Sequence, residues 1–383
     1  MTEPRTIDVD QHLFEDRGTW ADHIDPAYRD SALAIEDDER GWPWLTWRGD
    51  RLYPAEIQHP GRPQEVAENR RRMRAGEPAP GRYEDLLPAD YRGGAERLGS
   101  IARAGIERCV LFPNFGLIWE RMLAADPDAR RANARAYNRW MAGALEGGAG
   151  RLHGVAHLLL DDPSWAVEEL RRLHGDGVRL AMVAPAPVGD RPLSDPAFDP
   201  VWAACCDLGI APVFHVAGFE SPLHPAWHAG DPEPGDQLMD SVFLWVAPAV
   251  ALANMILFGT LQRFPTLRIG VVELSAGWVP GFLLNIDGAF DFYVARHGAP
   301  VHALEERPSE YFRRQVRVAA LPYEAPDYLV RKVGPDTFMI GSDWPHAEGV
   351  ADPGGANRAS VAALPEADRA MALSGNAAWL LGL

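Results

Sequence analysis

The chain has 383 residues, 37 of them basic and 54 acidic, for a net charge of −17. Hydrophobic residues make up 47% and charged residues 24%, a globular usage that excludes wholesale disorder and supplies enough apolar side chains for a sizeable core. The acidic balance speaks against binding nucleic acid or an anionic membrane but says little about a small-molecule substrate, the partner that the strand-end residues below lead one to expect.

Eight short apolar runs alternate with helical patterns along the chain. In order they are Thr6-Ile-Asp-Val-Asp, Glu107-Arg-Cys-Val-Leu-Phe-Pro, Leu152-His-Gly-Val-Ala-His-Leu-Leu-Leu and Gly177-Val-Arg-Leu-Ala-Met-Val. Ala211-Pro-Val-Phe-His, Leu267-Arg-Ile-Gly-Val-Val-Glu, Gln315-Val-Arg-Val-Ala-Ala and Thr337-Phe-Met-Ile-Gly-Ser-Asp follow. Between them, residues 126–146 carry apolar side chains at helical spacing, and Asp162-Pro-Ser-Trp opens a second helix with an acid and a proline at its start. Eight strands with intervening helices predict an α/β fold of the (β/α)₈ TIM-barrel type, one domain spanning 1–383. About ninety residues separate His12 from the second run, more than a compact barrel needs as a loop. This region, rich in Pro, Gly, Arg and Trp, reads as an insertion subdomain over 16–95, a lid over the barrel mouth.

The remaining composition sets bounds. Cys109, Cys205 and Cys206 have no metal-knuckle spacing and are too few for a disulfide scaffold. The first residues lack a basic-then-apolar signal pattern, and the apolar stretch 242–261 is broken by Pro248, Asn254 and Gly259, so it reads as a buried helix. A soluble cytoplasmic protein is expected. Lys332 is the only lysine, so chemistry that needs a lysine must use it.

The strand ends carry the chemistry. The first ends Asp8-Val-Asp10-Gln-His12, the fifth Phe214-His215, the sixth Val272-Glu273 and the eighth Gly341-Ser-Asp343-Trp-Pro-His346. In a barrel these ends meet at one face, and alternation points Asp10 and His12 the same way. Asp10, His12, His215, Glu273 and Asp343 thus form a candidate ligand set for one or two divalent ions: zinc, iron or manganese. Such an ion activates water and polarises a carbonyl. Asp343, His215 and His346 are the candidate catalytic residues, with Asp343 managing a proton. Trp278, Trp344 and Arg62 are candidate substrate contacts. Asp8 either ties down the first turn or touches the ion, Glu15 braces His12 or the insertion, and His224 and His228 read as surface residues.

These same residues carry a resemblance. Ile7-Asp-Val-Asp-Gln-His-Leu-Phe-Glu15, Tyr137-Asn-Arg-Trp140, Phe214-His215, Glu273-Leu-Ser-Ala-Gly-Trp278, Pro308-Ser-Glu-Tyr-Phe-Arg-Arg314, Gly341-Ser-Asp-Trp-Pro-His346 and Gly375-Asn376 resemble the amidohydrolase superfamily. The likeness is to its amidohydrolase 2 branch, which includes aminocarboxymuconate-semialdehyde decarboxylase. It implies a metal-bearing barrel with Asp10 and His12 as the strand-one ligands, His215 as the strand-five histidine and Asp343 as the strand-eight aspartate. Two departures stand out. Asp10 replaces the first histidine of the usual His-x-His, and Glu273 stands where the decarboxylases carry a histidine. The expected function is therefore metal-dependent hydrolysis of an amide, ester, lactone or thioester by metal-activated hydroxide, with non-oxidative decarboxylation as the alternative. Family precedent and the apolar stretch 278–284 also suggest a homodimer.

Overall fold

The computed structural model describes residues 5–216, 219–229 and 238–383. Eleven strands form two sheets. The large sheet of the described residues has eight strands, β1 (Ile7–Leu13), β5 (Arg108–Pro113), β6 (Leu152–His157), β7 (Leu180–Met182), β8 (Ala211–Phe214), β9 (Ile269–Val271), β10 (Val316–Ala320) and β11 (Phe338–Ile340). They pair in that order and every pair is parallel. The ring is drawn together between β11 and β1, where Asp343 N donates to Asp10 O (2.9 Å) and His12 N donates to Trp344 O (2.8 Å). All eight expected runs supply a strand, and the arrangement is that of a (β/α)₈ barrel.

Local rules explain the elements. Helix Pro127–Ala144 starts where Asp126 accepts from Ala129 N, and helix Pro163–Gly175 starts where Asp162 accepts from Ser164 N and Trp165 N. Val110, Phe112, Val155, Met182, Val213 and Met339, drawn from alternate strand positions, cluster with Leu380 and Leu381 of the last helix. The 242–261 stretch departs from expectation. Its helix, Val246–Leu257, buries Leu252, Met255 and Ile256 but leaves Val250 exposed, so only one face is covered. No helix among the described residues is long and apolar enough to cross a membrane.

The segment between β1 and β5 folds into a three-stranded antiparallel sheet, β2 (Leu33–Asp37), β3 (Pro43–Trp47) and β4 (Asp50–Pro54), followed by helix Pro63–Ala75. Trp20, Leu33, Ile35, Leu45 and Tyr83 of this insertion share a core with Phe115 and Trp119, which follow β5. It is also bonded to the loop after β11: Ala347 N donates to Gln58 Oε1 (2.9 Å), and Gly61 N donates to Ala347 O (3.1 Å). The insertion's tryptophans are anchored inside it. Trp42, Trp44 and Trp47 donate to Glu77 O, Asp38 Oδ2 and Ser31 O, with Arg72, Arg51 and Arg48 over their rings.

Candidate metal centre

β1 delivers two side chains to one point. His12 Nε2 lies 3.5 Å from Asp10 Oδ1, and the register shifts between Asp8 and Gln11, which turns Asp8 away. From β8, His215 Nε2 lies 3.5 Å from Asp10 Oδ1 and 3.1 Å from Glu273 Oε2. From the β11 end, Asp343 Oδ1 lies 3.2 Å from His12 Nε2. Two interlocking groups result, Asp10–His12–His215–Glu273 and His12–Glu273–Asp343–His346, each with its donor atoms within 4.8 Å of one another. All five expected ligands therefore converge, and His346 joins them.

The backbone is bent to achieve this. Glu273 and Asp343 both adopt the left-handed region, with φ of 53° and 54°, which turns each side chain in at its strand end. Gly341 lies so close to Asp10 that a Cβ there would fall 2.5 Å from the Asp10 Cβ. Only glycine leaves the aspartate its place.

The donor set tests well for a cation. His12 Nδ1 donates to Pro113 O (2.9 Å) and His215 Nδ1 to Val216 O (2.8 Å), so in the neutral rings both Nε2 atoms offer lone pairs inward. Both Asp10 oxygens, both Asp343 oxygens, both Nε2 atoms and Glu273 Oε2 are buried without a hydrogen-bond partner. Converging buried acceptors with nothing between them repel one another unless a positive charge joins them. Hard carboxylate oxygens and imidazole nitrogens suit manganese, iron or zinc.

Electrostatics points the same way. Burial opposes a charge on His12, but Asp10 and Asp343 outweigh it and raise the imidazole well above its ordinary range. The same contest, with Glu273 and Asp10 prevailing over burial, raises His215 to about 9. Burial and the neighbouring Asp343 charge raise Glu273. Burial works against an ionised Asp343 as well, yet His346 and His12 hold it below the usual carboxylate range. Protons and a metal ion thus compete for one pool of negative charge.

A second ring of residues fixes the first. His346 Nδ1 lies 2.7 Å from Asp343 Oδ1, its Nε2 lies 2.8 Å from Asn114 Oδ1, and its ring stacks on His12 at 3.8 Å. Glu15 accepts from Phe115 N and Gly116 N, which shapes the loop carrying Asn114; it braces that loop rather than His12. Glu324 accepts from Ala276 N and holds the turn after Glu273. Arg97, fully buried, donates to His12 O and Asp90 O (2.6 Å each) and to Gln11 Oε1 (3.1 Å), with its guanidinium 4.5 Å over the Trp344 ring. Asn114, Glu324 and Arg97 escaped sequence reasoning. Asn114 directly follows β5, a strand-end position that could have exposed it; the other two act through backbone groups and leave no spacing to read.

Asp8 resolves to the structural of its two readings. It accepts from Ser342 N (3.0 Å), Ser342 Oγ (2.6 Å) and Gln11 Nε2 (2.9 Å), pinning β11 to β1. Burial outweighs these bonds and raises its pKa to about 7. A folded value above the unfolded 3.8 means that this group's stabilisation is complete below pH 3.8 and is lost as pH rises through 7. Asp8→Asn keeps the shape and removes the titration. Melting temperatures of the metal-loaded protein between pH 4 and 8 are expected to fall less steeply for the variant than for the parent; parallel curves would contradict this.

The three candidate substrate contacts each have partners of their own. Trp278 is in the core, donating to Ser275 O and packed against Phe282 and Phe312. Trp344 is wedged between Arg97 and Tyr91. Arg62 is exposed and pairs with Glu65. An indole after a strand end satisfies a core as readily as a ligand, and an insertion arginine finds its own acid first. His224 is exposed, and Cys205 is buried in helix Asp199–Leu208.

Comparison with solved structures finds the same architecture. An amidohydrolase from Mycobacterium avium subsp. paratuberculosis K-10 is 26% identical, with a TM-score of 0.81 and 100% of both chains covered. The 5-carboxyvanillate decarboxylase of Sphingomonas paucimobilis is 21% identical, with a TM-score of 0.62 over 100% of both chains. A dihydroxybenzoic acid decarboxylase from Polaromonas sp. JS666, solved with manganese and 2-nitroresorcinol, is 17% identical, with a TM-score of 0.59 over 99% of this chain and 97% of its own. No curated protein matches the chain. The amidohydrolase family model matches residues 7–383, from the first metal-site strand to the last residue, and the chain belongs to that amidohydrolase family.

Proposed function

We propose that the protein is a metal-dependent, non-oxidative decarboxylase of an aromatic or unsaturated carboxylic acid. The observation that carries this reading is the Asp343–His346 pair. With His346 Nε2 meeting Asn114 Oδ1, its Nδ1 lies 2.7 Å from Asp343 Oδ1, a separation across which a proton can pass between ring and carboxyl. Decarboxylation needs just such a proton. The C–C bond breaks, its electron pair stays on the ring or alkene carbon, and that carbon takes a proton as carbon dioxide leaves. Glu273 at the end of β9 removes the expected imidazole from that strand, and His346 supplies one from the β11 loop instead. The solved decarboxylases of this architecture, one of them holding manganese, support the reading.

Asp10, His12, His215 and Asp343 would hold the ion, with Glu273 beside them. Once bound, the ion supplies Lewis acidity toward the substrate's oxygens. The chain does the rest. Pro113 O and Val216 O orient the two imidazoles, and a proton held at His346 passes to carbon by way of the Asp343 carboxylate 2.7 Å away. The insertion, bonded to Ala347, serves as the lid of this site and limits water at the reacting carbon.

Hydrolysis is the second reading, and Glu273 is the observation that favours it. Glu273, a third carboxylate in the cluster, would help to hold a second ion, a part that Lys332, before β11 and over the Tyr328 ring, is not placed to play. One experiment separates the two. The manganese-loaded protein is incubated with a panel of hydroxybenzoic and unsaturated acids in D2O. Carbon dioxide release with one deuterium at the vacated carbon is expected. Ester, amide or thioester turnover with no carbon dioxide from any acid would replace the first reading with the second.

A further inference from the structure

The insertion encloses a cavity of about 410 Å³ between β3, β4, residues 55–59 and helix Pro63–Ala75. Cavities of a few hundred cubic ångströms are the size of small-molecule sites. Trp42, Ile57, Met73 and Leu86 give it a largely apolar wall. Three carboxylates also line it, Glu56, Glu65 and Glu68, and among the described residues no arginine or lysine does. The guanidinium partners of these acids, Arg70, Arg62 and Arg71, belong to no part of that wall.

We propose that this cavity binds the uncharged aromatic product of the reaction, a phenol or similar neutral ring, and turns away the carboxylic acid. The naming of the ligand as product rests on the decarboxylase reading; its chemistry rests on the wall. A carboxylate placed there gives up hydration against the apolar wall and gains no cation in return, since the arginines nearest Glu56, Glu65 and Glu68 are already paired with them. A neutral ring buries its apolar surface at no such cost. Loss of carbon dioxide and gain of a proton turn an anion into that neutral ring, so the cavity distinguishes the two sides of the reaction.

The cavity is wired to His346 from two directions. Residues 55–59 run into Gln58 and Gly61, both bonded to Ala347, the residue after His346. Tyr83 lines the cavity and donates to Glu15 O (2.6 Å), and Glu15 holds the loop whose Asn114 meets His346 Nε2. These bonds make the cavity wall continuous with the two loops that hold His346.

The test is calorimetric titration of the full chain with phenol and with benzoate, metal-loaded and metal-free. Met73→Trp fills the cavity, and Glu68→Lys, an exposed position, reverses one wall charge. Phenol is expected to bind with and without metal, at least tenfold more weakly in Met73→Trp. Benzoate is expected to gain a metal-independent site in Glu68→Lys that the parent lacks. Phenol binding that vanishes with the metal, or that is unchanged in a folded Met73→Trp, would overturn the proposal. If Met73→Trp does not fold, the Glu68→Lys result decides: no new benzoate site overturns it. Absence of carbon dioxide release with phenol binding intact would remove the name product and leave the neutral-ring site standing.

Discussion

Asp343→Asn is expected to lower kcat by about 10²–10⁴-fold while most of the bound metal is retained, the range found for a positioned acid–base group. The amide preserves size and one oxygen toward the ion position, where Asp10, His12, His215 and Glu273 still converge. What it loses is the proton shared with His346 across 2.7 Å. Steady-state turnover and elemental analysis on the same preparation separate the two roles. Metal loss in proportion to the loss of activity would make Asp343 chiefly a ligand. Wild-type turnover would take it out of the reaction altogether.

The second large effect is expected at Arg97, which touches neither substrate nor metal. Arg97→Met should cost about 3 kcal/mol or more of stability, because an apolar side chain leaves buried acceptors on His12, Asp90 and Gln11 without donors, each worth roughly 1–3 kcal/mol. The cost is partly offset, since burial already disfavours the guanidinium charge and pulls its pKa down to about 10. His12 is anchored through its own carbonyl by this arginine, so metal affinity should fall about tenfold as well. Urea unfolding measures the first effect and chelator competition the second. Arg97→Lys should lie between parent and Met, because one ammonium reaches fewer acceptors and loses the planar stack on Trp344. Equal stability of all three proteins would refute the account.

What could be read in advance follows the physics of each feature. The eight barrel strands are β-branched or apolar runs bounded by turn residues, a local pattern, and each appears where that pattern stands. The convergence of the five candidate ligands was legible because a barrel brings its strand ends to one face, so polar residues at those ends meet from far apart in the chain. The three-stranded sheet of the insertion was not legible. Its strands are short, β3 opens on Pro43 and β4 closes on Pro54 with little alternation between buried and exposed positions, and its core is shared with residues after β5. Trp278 and Trp344 read two ways. Large aromatics near a site read as substrate walls, but an indole also needs only one hydrogen bond to be content in a core, and Ser275 O satisfies Trp278. Arg97 was invisible because its role is to backbone carbonyls, whose direction no residue code records.

The left-handed backbone at Glu273 and Asp343 has a consequence for attempts to harden this protein. A non-glycine residue in that region costs on the order of 1 kcal/mol, and glycine or asparagine relieves it. A thermostability screen blind to turnover would therefore enrich glycine or asparagine at these two positions. Its most heat-resistant winners would be enzymatically silent barrels, selected by the same strain that keeps both carboxylates turned inward.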